Sequence, residues 1–208
     1  MADFSRFRDQ PTPAPRTLLE VFSEVPTEGV LLGDVLAVDQ SLAKSGWALF
    51  SSDTSSGLHC ISLEETGTLR KPADLALEGF AASFARAIVL YDEFVELIKE
   101  YDPRYVVHAL PPVGRMAHSH ESSLVAATTL QIAATQCDVT VLTLGEQKAK
   151  KRWTGNGNAK KPEVRKAVQV ALPELTEFRL AEAPKLKFNE DIYDAIAIGV
   201  TAIEGVHK

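Results

Sequence analysis

The chain has 208 residues, 45% hydrophobic and 24% charged, with a net charge of -6, which fits one globular domain with at most a small appendage. No run reaches the ~18 consecutive apolar residues of a membrane helix, and the opening MADFSRFRDQPTPAPR lacks a signal peptide's apolar centre, so a cytoplasmic protein without membrane attachment is expected. Two cysteines, Cys60 and Cys137, exclude a disulfide scaffold or a four-cysteine zinc site and read as buried thiols, and the acidic balance excludes coating of nucleic acid by bulk charge.

Residues 1–30 carry Pro11, Pro13, Pro15 and Pro26 among polar residues and read as an N-terminal extension, with one short helical pattern at Leu18, Leu19, Val21 and Phe22. The domain proper, 31–208, opens in the apolar run VLLGDVLAVD; SGWALFS and LHCISLEETGTL follow as further strands of a meander. Phe80, Phe84, Ile88, Tyr91, Val95 and Ile98 step by three or four, which predicts a helix with one apolar face, stopped by Pro103. RYVVHAL reads as a buried strand and PPVGRMAHSHE as an exposed loop. Ser122–Thr135 is small and apolar on nearly all sides, so it predicts a helix that is buried or lies in a subunit interface. DVTVLTL is a further strand and GEQKAKKRWTGNGNAKK a basic, glycine-bearing loop. PEVRKAVQVAL is a helix opened by Pro162, and FNEDIYDAIAIGVTAIEG is a last amphipathic helix. The order is βββαβαβαα, an α/β domain.

Carboxylates stand where apolar residues would be expected. Asp39 ends VLAVD, and a buried, unpaired charge there is costly, so it requires a cation or donors; alternatively it caps the following turn with Gln40 and Ser41. Asp191 and Asp194, three apart, share a helix face with Ile198. A divalent ion would relieve their repulsion, and hard cations such as Mg²⁺ prefer carboxylate oxygen, so Asp39, Asp191 and Asp194 together would form a metal site. The alternative for the pair is that it complements the helix dipole. Between Lys148 and Lys166 the otherwise acidic chain gathers Lys148, Lys150, Lys151, Arg152, Lys160, Lys161, Arg165 and Lys166. Gly155 and Gly157 within TGNGNA would let backbone amides approach a phosphate, with Trp153 as a stacking surface; a solvated loop has the same composition. His108, His118 and His120 match no zinc spacing; His108 reads as a strand residue, the other two as loop residues within reach of a phosphate.

In their order along the chain, VLAVDQSLAKSGWALF, TGNGNAKKPEV and NEDIYDAIAIG resemble, over roughly residues 34–205, the RuvC family of Holliday-junction resolvases. The resemblance implies an RNase H-like fold, a mixed five-stranded sheet flanked by helices, whose four acidic residues bind two Mg²⁺ ions, with Mn²⁺ able to substitute. It implies a homodimer that cuts four-way branched DNA by paired symmetric nicks, with no nucleotide required. Asp39 matches the first-strand carboxylate, and Asp191 and Asp194 match the pair on the last helix, as metal ligands. Lys150 and Lys161 match lysines near the scissile phosphate, Lys161 steadying the charge that develops there. Lys151, Arg152, Lys160, Arg115, Asn156 and Asn158 complete the expected DNA contacts.

The chain departs from the family in two places. The second family carboxylate, a glutamate, ends the central strand; PRYVVHAL puts Ala109 there, and alanine cannot bind metal. Glu121, the nearest downstream acid, lies 12 positions later beyond the loop. Ala109 therefore reads as the loss of a catalytic glutamate, introduced deliberately or native to an inactive homologue, in a chain that binds junctions and cuts poorly. Leu110, Pro111, Pro112 and Val113 occupy the region of a family aromatic that stacks on a junction base, leaving Arg115 and Met116 to contact the crossover. Residues 1–30 have no counterpart in the family core and point to a phage-encoded or divergent branch. One rival reading is a non-catalytic, RNase H-like binder of branched DNA. The other is an ATP-dependent sugar or acetate kinase of the actin-like superfamily, whose first hairpin Asp-Gln-Ser also resembles; such kinases need two domains where this length supplies one.

Overall fold

The runs read as strands pair into one mixed sheet in a computed structural model, which describes residues 23–24, 31–53, 60–70, 79–110, 118–171 and 190–205. Its long strands are the five expected: β2 (Gly33–Asp39), β3 (Lys44–Asp53), β4 (Cys60–Arg70), β5 (Tyr105–Leu110) and β6 (Thr140–Gly145). A two-residue strand, β1 (Ser23–Glu24), adds an edge, giving the order β1-β6-β5-β2-β3-β4. β2, β3 and β4 form the antiparallel meander, while β5 pairs in parallel with β2 and β6. β1 also runs parallel to β6, Ser23 opposite Leu142 and Glu24 opposite Thr143. Part of the N-terminal extension is thus stitched to the sheet, across the expected boundary at residue 30.

Helices cover both faces, which is why β5 reads as a continuous apolar run. On one face α1 (Gly79–Tyr101) and α2 (His118–Gln136) pack Leu90, Phe94, Ile98, Leu130 and Ala133 on Leu36, Val38, Val106 and Val141. On the other, α3 (Glu146–Thr154), α4 (Lys161–Ala171) and α5 (Glu190–Ile203) pack on Val35, Ala37, Val107, Ala109, Leu142 and Leu144. The alternation follows the two-residue period of a strand.

Three expectations are corrected. Glu146–Thr154, read as a loop, is helix α3: Glu, Gln, Lys, Ala and Arg are all good helix formers, and the charged run is its solvated face. The order after the meander is therefore αβαβααα. In α1 the apolar stripe is wider than the sheet accepts, so Leu90, Phe94, Leu97 and Ile98 are core whereas Phe84 and Ile88 are 62% and 52% exposed. α2 buries Ala126, Ala127, Leu130, Ala133 and Ala134 and exposes Leu124 and Ile132, which leaves open the reading of it as an interface helix; Cys137 after it, read as a buried thiol, is half-buried. The helical pattern at Leu18–Phe22 and the loop holding Pro111, Pro112, Val113, Arg115 and Met116 lie outside the described residues. No helix among the described residues is long and apolar enough to cross a membrane.

α5 is seated by glycines. A Cβ on Gly199 would stand 2.3 Å from Phe50 Cε2 and 2.8 Å from Ala37 Cβ, and one on Gly46 would stand 2.3 Å from the Asp191 backbone. Gly46 lies opposite Asp39 in the β2–β3 register, so the missing side chain lets the first turn of α5 come down on the end of β2. The buried length of α5, Ala195 to Ile203, anchors it, each buried Ile or Val contributing ~1.5–3 kcal/mol.

Candidate active site

β2, β5 and β6 end at one edge of the sheet. Val38 is level with His108, and Ala109 with Leu144, so Asp39 ends its strand beside Ala109. Strand alternation puts Asp39 on the side of Val35 and Ala37, the side that α5 covers. Asp39 does not cap the turn that follows it. The Ser45 hydroxyl does, donating to Ser41 O and accepting from Ser41 N, both at 3.0 Å.

Lys161 opens α4 and brings the three predicted carboxylates together. Its Nζ donates to Asp39 Oδ2 at 3.2 Å and to Asp191 Oδ1 at 2.7 Å, and lies 3.0 Å from Asp194 Oδ2. Lys44, which the sequence reading did not single out, stands 3.9 Å from Asp191 Oδ2. The group lines a cavity of about 270 Å³ whose walls include Gln40, Ala109, Glu146 and Lys150. Burial pushes Asp39 up to about 7, against the pull of Lys161 and with help from Asp194 and Asp191. Asp194 is raised for the same first reason, opposed by Lys161. Burial works against the Lys161 ammonium, but the Asp39 and Asp194 carboxylates outweigh it and hold Lys161 well above its ordinary value.

These values test whether the residues suit the metal site expected of them. Among the described residues no three of His, Cys, Asp or Glu stand close enough to hold an ion by themselves; the Lys161 ammonium occupies their common centre. Three carboxylates converge on the Lys161 ammonium, and the raised Asp39 registers first the burial of its charge, with the neighbouring Asp194 and Asp191 adding to it. The donors are all hard oxygens, the chemistry that a hard divalent cation takes. Ala109, buried at 6% exposure, offers only its backbone. Its carbonyl accepts from Gln40 Nε2 at 2.6 Å and, at a long 3.4 Å, faces His108 Nδ1. His108 Nε2 in turn lies 3.0 Å from Gln131 Nε2. The side chain of Glu121 lies outside the described residues, as do those of His118 and His120.

The basic segment divides. Lys150 and Lys161 face the cavity, and Lys151 and Lys160 are exposed beside them in sequence. Arg152 projects elsewhere: its Nη2 pairs with Glu204 Oε2 at 2.7 Å, over a separate groove. Trp153 is a packing residue whose Nε1 donates to Ala197 O at 3.1 Å. The glycine loop is a helix terminus: Gly155, at φ 74°, is the left-handed cap of α3 and its N–H bonds to Lys151 O. The amides of Asn156, Asn158 and Ala159 bond to Thr154 Oγ1, Asn156 Oδ1 and Asn156 O. They are spent on the turn and do not form a phosphate cradle. The Asn158 side chain stays exposed.

Glu146 and Gln40 were missed. Glu146 carried a readable signal, since it stands two residues beyond Leu144, just past the end of a face-alternating strand, but it fell in a segment read as loop.

No protein-family model matches the chain, and no curated protein matches it. Solved structures do. Thermus thermophilus RuvC matches with a TM-score of 0.57 at 20% identity, over 80% of this chain and 91% of its own. The structure of T. thermophilus RuvC with a Holliday junction substrate matches with a TM-score of 0.60 at 20% identity, over 84% and 95%. The yeast mitochondrial Holliday junction resolvase Ydc2 matches with a TM-score of 0.55 at 13% identity, over 83% and 78%. The chain therefore shares the RuvC-type fold, an RNase H-like mixed sheet flanked by helices, with Asp39, Asp191 and Asp194 gathered where its strands end.

Proposed function

We propose that this chain is a Holliday-junction resolvase, a divalent-cation-dependent endonuclease that places paired symmetric nicks in four-way branched DNA. The observation that carries the reading is the convergence of Asp39, Asp191 and Asp194 on one cationic nitrogen at the strand ends, in a fold shared with resolvases. The three carboxylates would hold Mg²⁺, with Mn²⁺ as a substitute. Bound divalent ions would activate the attacking water and neutralise the leaving oxygen. With the carboxylates so occupied, Lys161, whose side chain is 43% exposed, is free to hold an oxygen of the scissile phosphate and stabilise its added charge. Lys44 and Lys150 flank the site, and Lys151, Lys160 and Asn158 extend a polar and basic rim for neighbouring phosphates. Such a protein works in the cytoplasm, of a bacterium or a phage-infected host.

The test is binding and Mg²⁺-dependent cleavage of a synthetic four-way junction against a linear duplex. Preferential binding with paired nicks is expected. Binding without cleavage would mean a non-catalytic junction binder, and no preference for the junction would end the resolvase reading.

Paired nicks need two active sites, and α1 and α2 present an apolar surface for self-association. Phe84, Ile88, Leu124 and Ile132 are 62%, 52%, 56% and 55% exposed on these adjacent helices, apolar side chains that a second copy of the chain would cover. The native chain should sediment as a dimer and the Ile88→Lys, Ile132→Lys double variant as a folded monomer. A native monomer at micromolar concentration would refute the pairing.

A further inference from the structure

The resolvase reading leaves one position without its expected carboxylate, because Ala109 stands where a strand-end glutamate should. We propose that Glu146, at the end of the neighbouring strand, supplies this ligand to the divalent cation, with Gln40 Oε1 as an accompanying oxygen donor. The site is then complete without an acid at 109; the inference rests on the resolvase reading and assigns the residues of that same site.

Register carries the first step. Ala109 pairs with Leu144, and both side chains belong to the core beneath α5. Glu146 follows Leu144 by two residues, so it continues that face where β6 passes into α3. Adjacent strands lie ~4.8 Å apart, a gap that an extended glutamate side chain spans. Glu146 lines the same cavity as Asp39, Asp191, Asp194 and Ala109.

Charge carries the second. Glu146 forms an ion pair with Lys150, and Lys150 also acts on Asp194, lowering it. The metal-free cavity therefore has two carboxylate groups, each held by an ammonium: the three aspartates by Lys161 and Glu146 by Lys150. Both lysines sit where cations belong.

Gln40 is the independent observation. It is 7% exposed, its Nε2 is fixed on the Ala109 carbonyl at 2.6 Å, and its Oε1, buried in the cavity wall, has no hydrogen-bond partner among the described residues. A buried acceptor without a donor is costly, and a cation or its water beside Ala109 would satisfy it. A glutamate that merely complemented the α3 dipole would not explain this orphan.

Mn²⁺ binding to the DNA-free protein, followed by calorimetry and by the spin resonance of the bound ion, tests the assignment in the native chain, in Glu146→Gln and in Glu146→Gln combined with Ala109→Glu. Glu146→Gln should weaken Mn²⁺ binding about tenfold or more, keep junction binding within a few-fold and lose cleavage. Restoring a carboxylate at 109 should recover both affinity and cleavage, which separates ligand loss from misfolding. If Glu146→Gln binds Mn²⁺ and cuts as the native chain does, the assignment of Glu146 fails while the resolvase reading stands. If the native chain itself binds neither Mn²⁺ nor junctions, the resolvase reading fails first.

Discussion

Metal-free Asp39→Asn protein should melt at a higher temperature than the native chain and should cut junctions about a thousandfold more slowly or worse. The two effects have one cause. Burial pushes Asp39 up to about 7 from 3.8, the Lys161 ammonium failing to offset it, so folding disfavours the ionised form. For an acid raised in this way, the stabilisation is present below about 3.8 and is lost as pH rises through 7. At neutral pH and above, the folded chain therefore holds a carboxylate that water would hold better, and an amide of the same shape removes the burden. What the amide cannot do is take a share of a divalent cation. Mg²⁺ should accordingly reverse the order, raising the midpoint of the native chain by mass action and leaving that of Asp39→Asn nearly unmoved. Melting both proteins in EDTA and in Mg²⁺ makes the comparison. A variant that is less stable than the native chain in EDTA would mean that Asp39 serves as a structural ion-pair partner of Lys161 and not as a strained ligand.

How much of this site was legible in the sequence depends on the length scale of each signal. Asp39 was readable because it sets a charge at the end of a continuous apolar run, and Asp191 with Asp194 because residues three apart in a helix share a face; Lys161 was singled out from the basic run only by the resemblance. In the fold the four side chains stand together. Local charge was a poorer guide. Arg152 and Lys150 are two residues apart yet sit over different grooves, since two residues on a helix point to nearly opposite sides, a distinction lost once the segment is read as loop. Gly155 matched a phosphate loop because a left-handed helix cap demands the same residue type, and Gly157 because the chain there passes close to the Gln147 backbone. Gly46 carried a signal that no local pattern holds: its lack of a side chain matters only because Asp191, far along the chain, lands on it. The partly exposed stripe of α1 is likewise invisible to periodicity, which finds an apolar face but not how much of it the sheet will cover.

His108 supplies the second large effect, and it opposes the first. The imidazole is fully buried and is lowered to about 4 from 6.5, burial outweighing the Ala109 carbonyl. In its neutral form, with the proton on Nδ1, it accepts from Gln131 Nε2 at 3.0 Å and joins β5 to α2. Protonation would set two donors against each other there. For a base lowered on folding, the unfolded chain takes up a proton below 6.5 while the folded chain does not until about 4. Stability is therefore lost as pH falls across that window, by about 3 kcal/mol in all. Asp39 works the other way: between 7 and 3.8 the folded chain binds a proton that the unfolded chain lacks, so acidification adds stability. In the metal-free native chain the Asp39 linkage, with the raised Asp194 acting in the same direction, opposes that of His108, so urea midpoints should change less between pH 6.5 and pH 4 than either linkage alone would require. Each substitution should tilt the profile in its own direction. Asp39→Asn removes the gain, so its midpoint should fall steadily on acidification; His108→Gln removes the loss, so its midpoint should rise. Parallel profiles for His108→Gln and the native chain would show that His108 is already charged in the fold. Opposite tilts would establish that a neutral histidine on one side of the central strands and a strained carboxylate on the other together set the pH response of this domain.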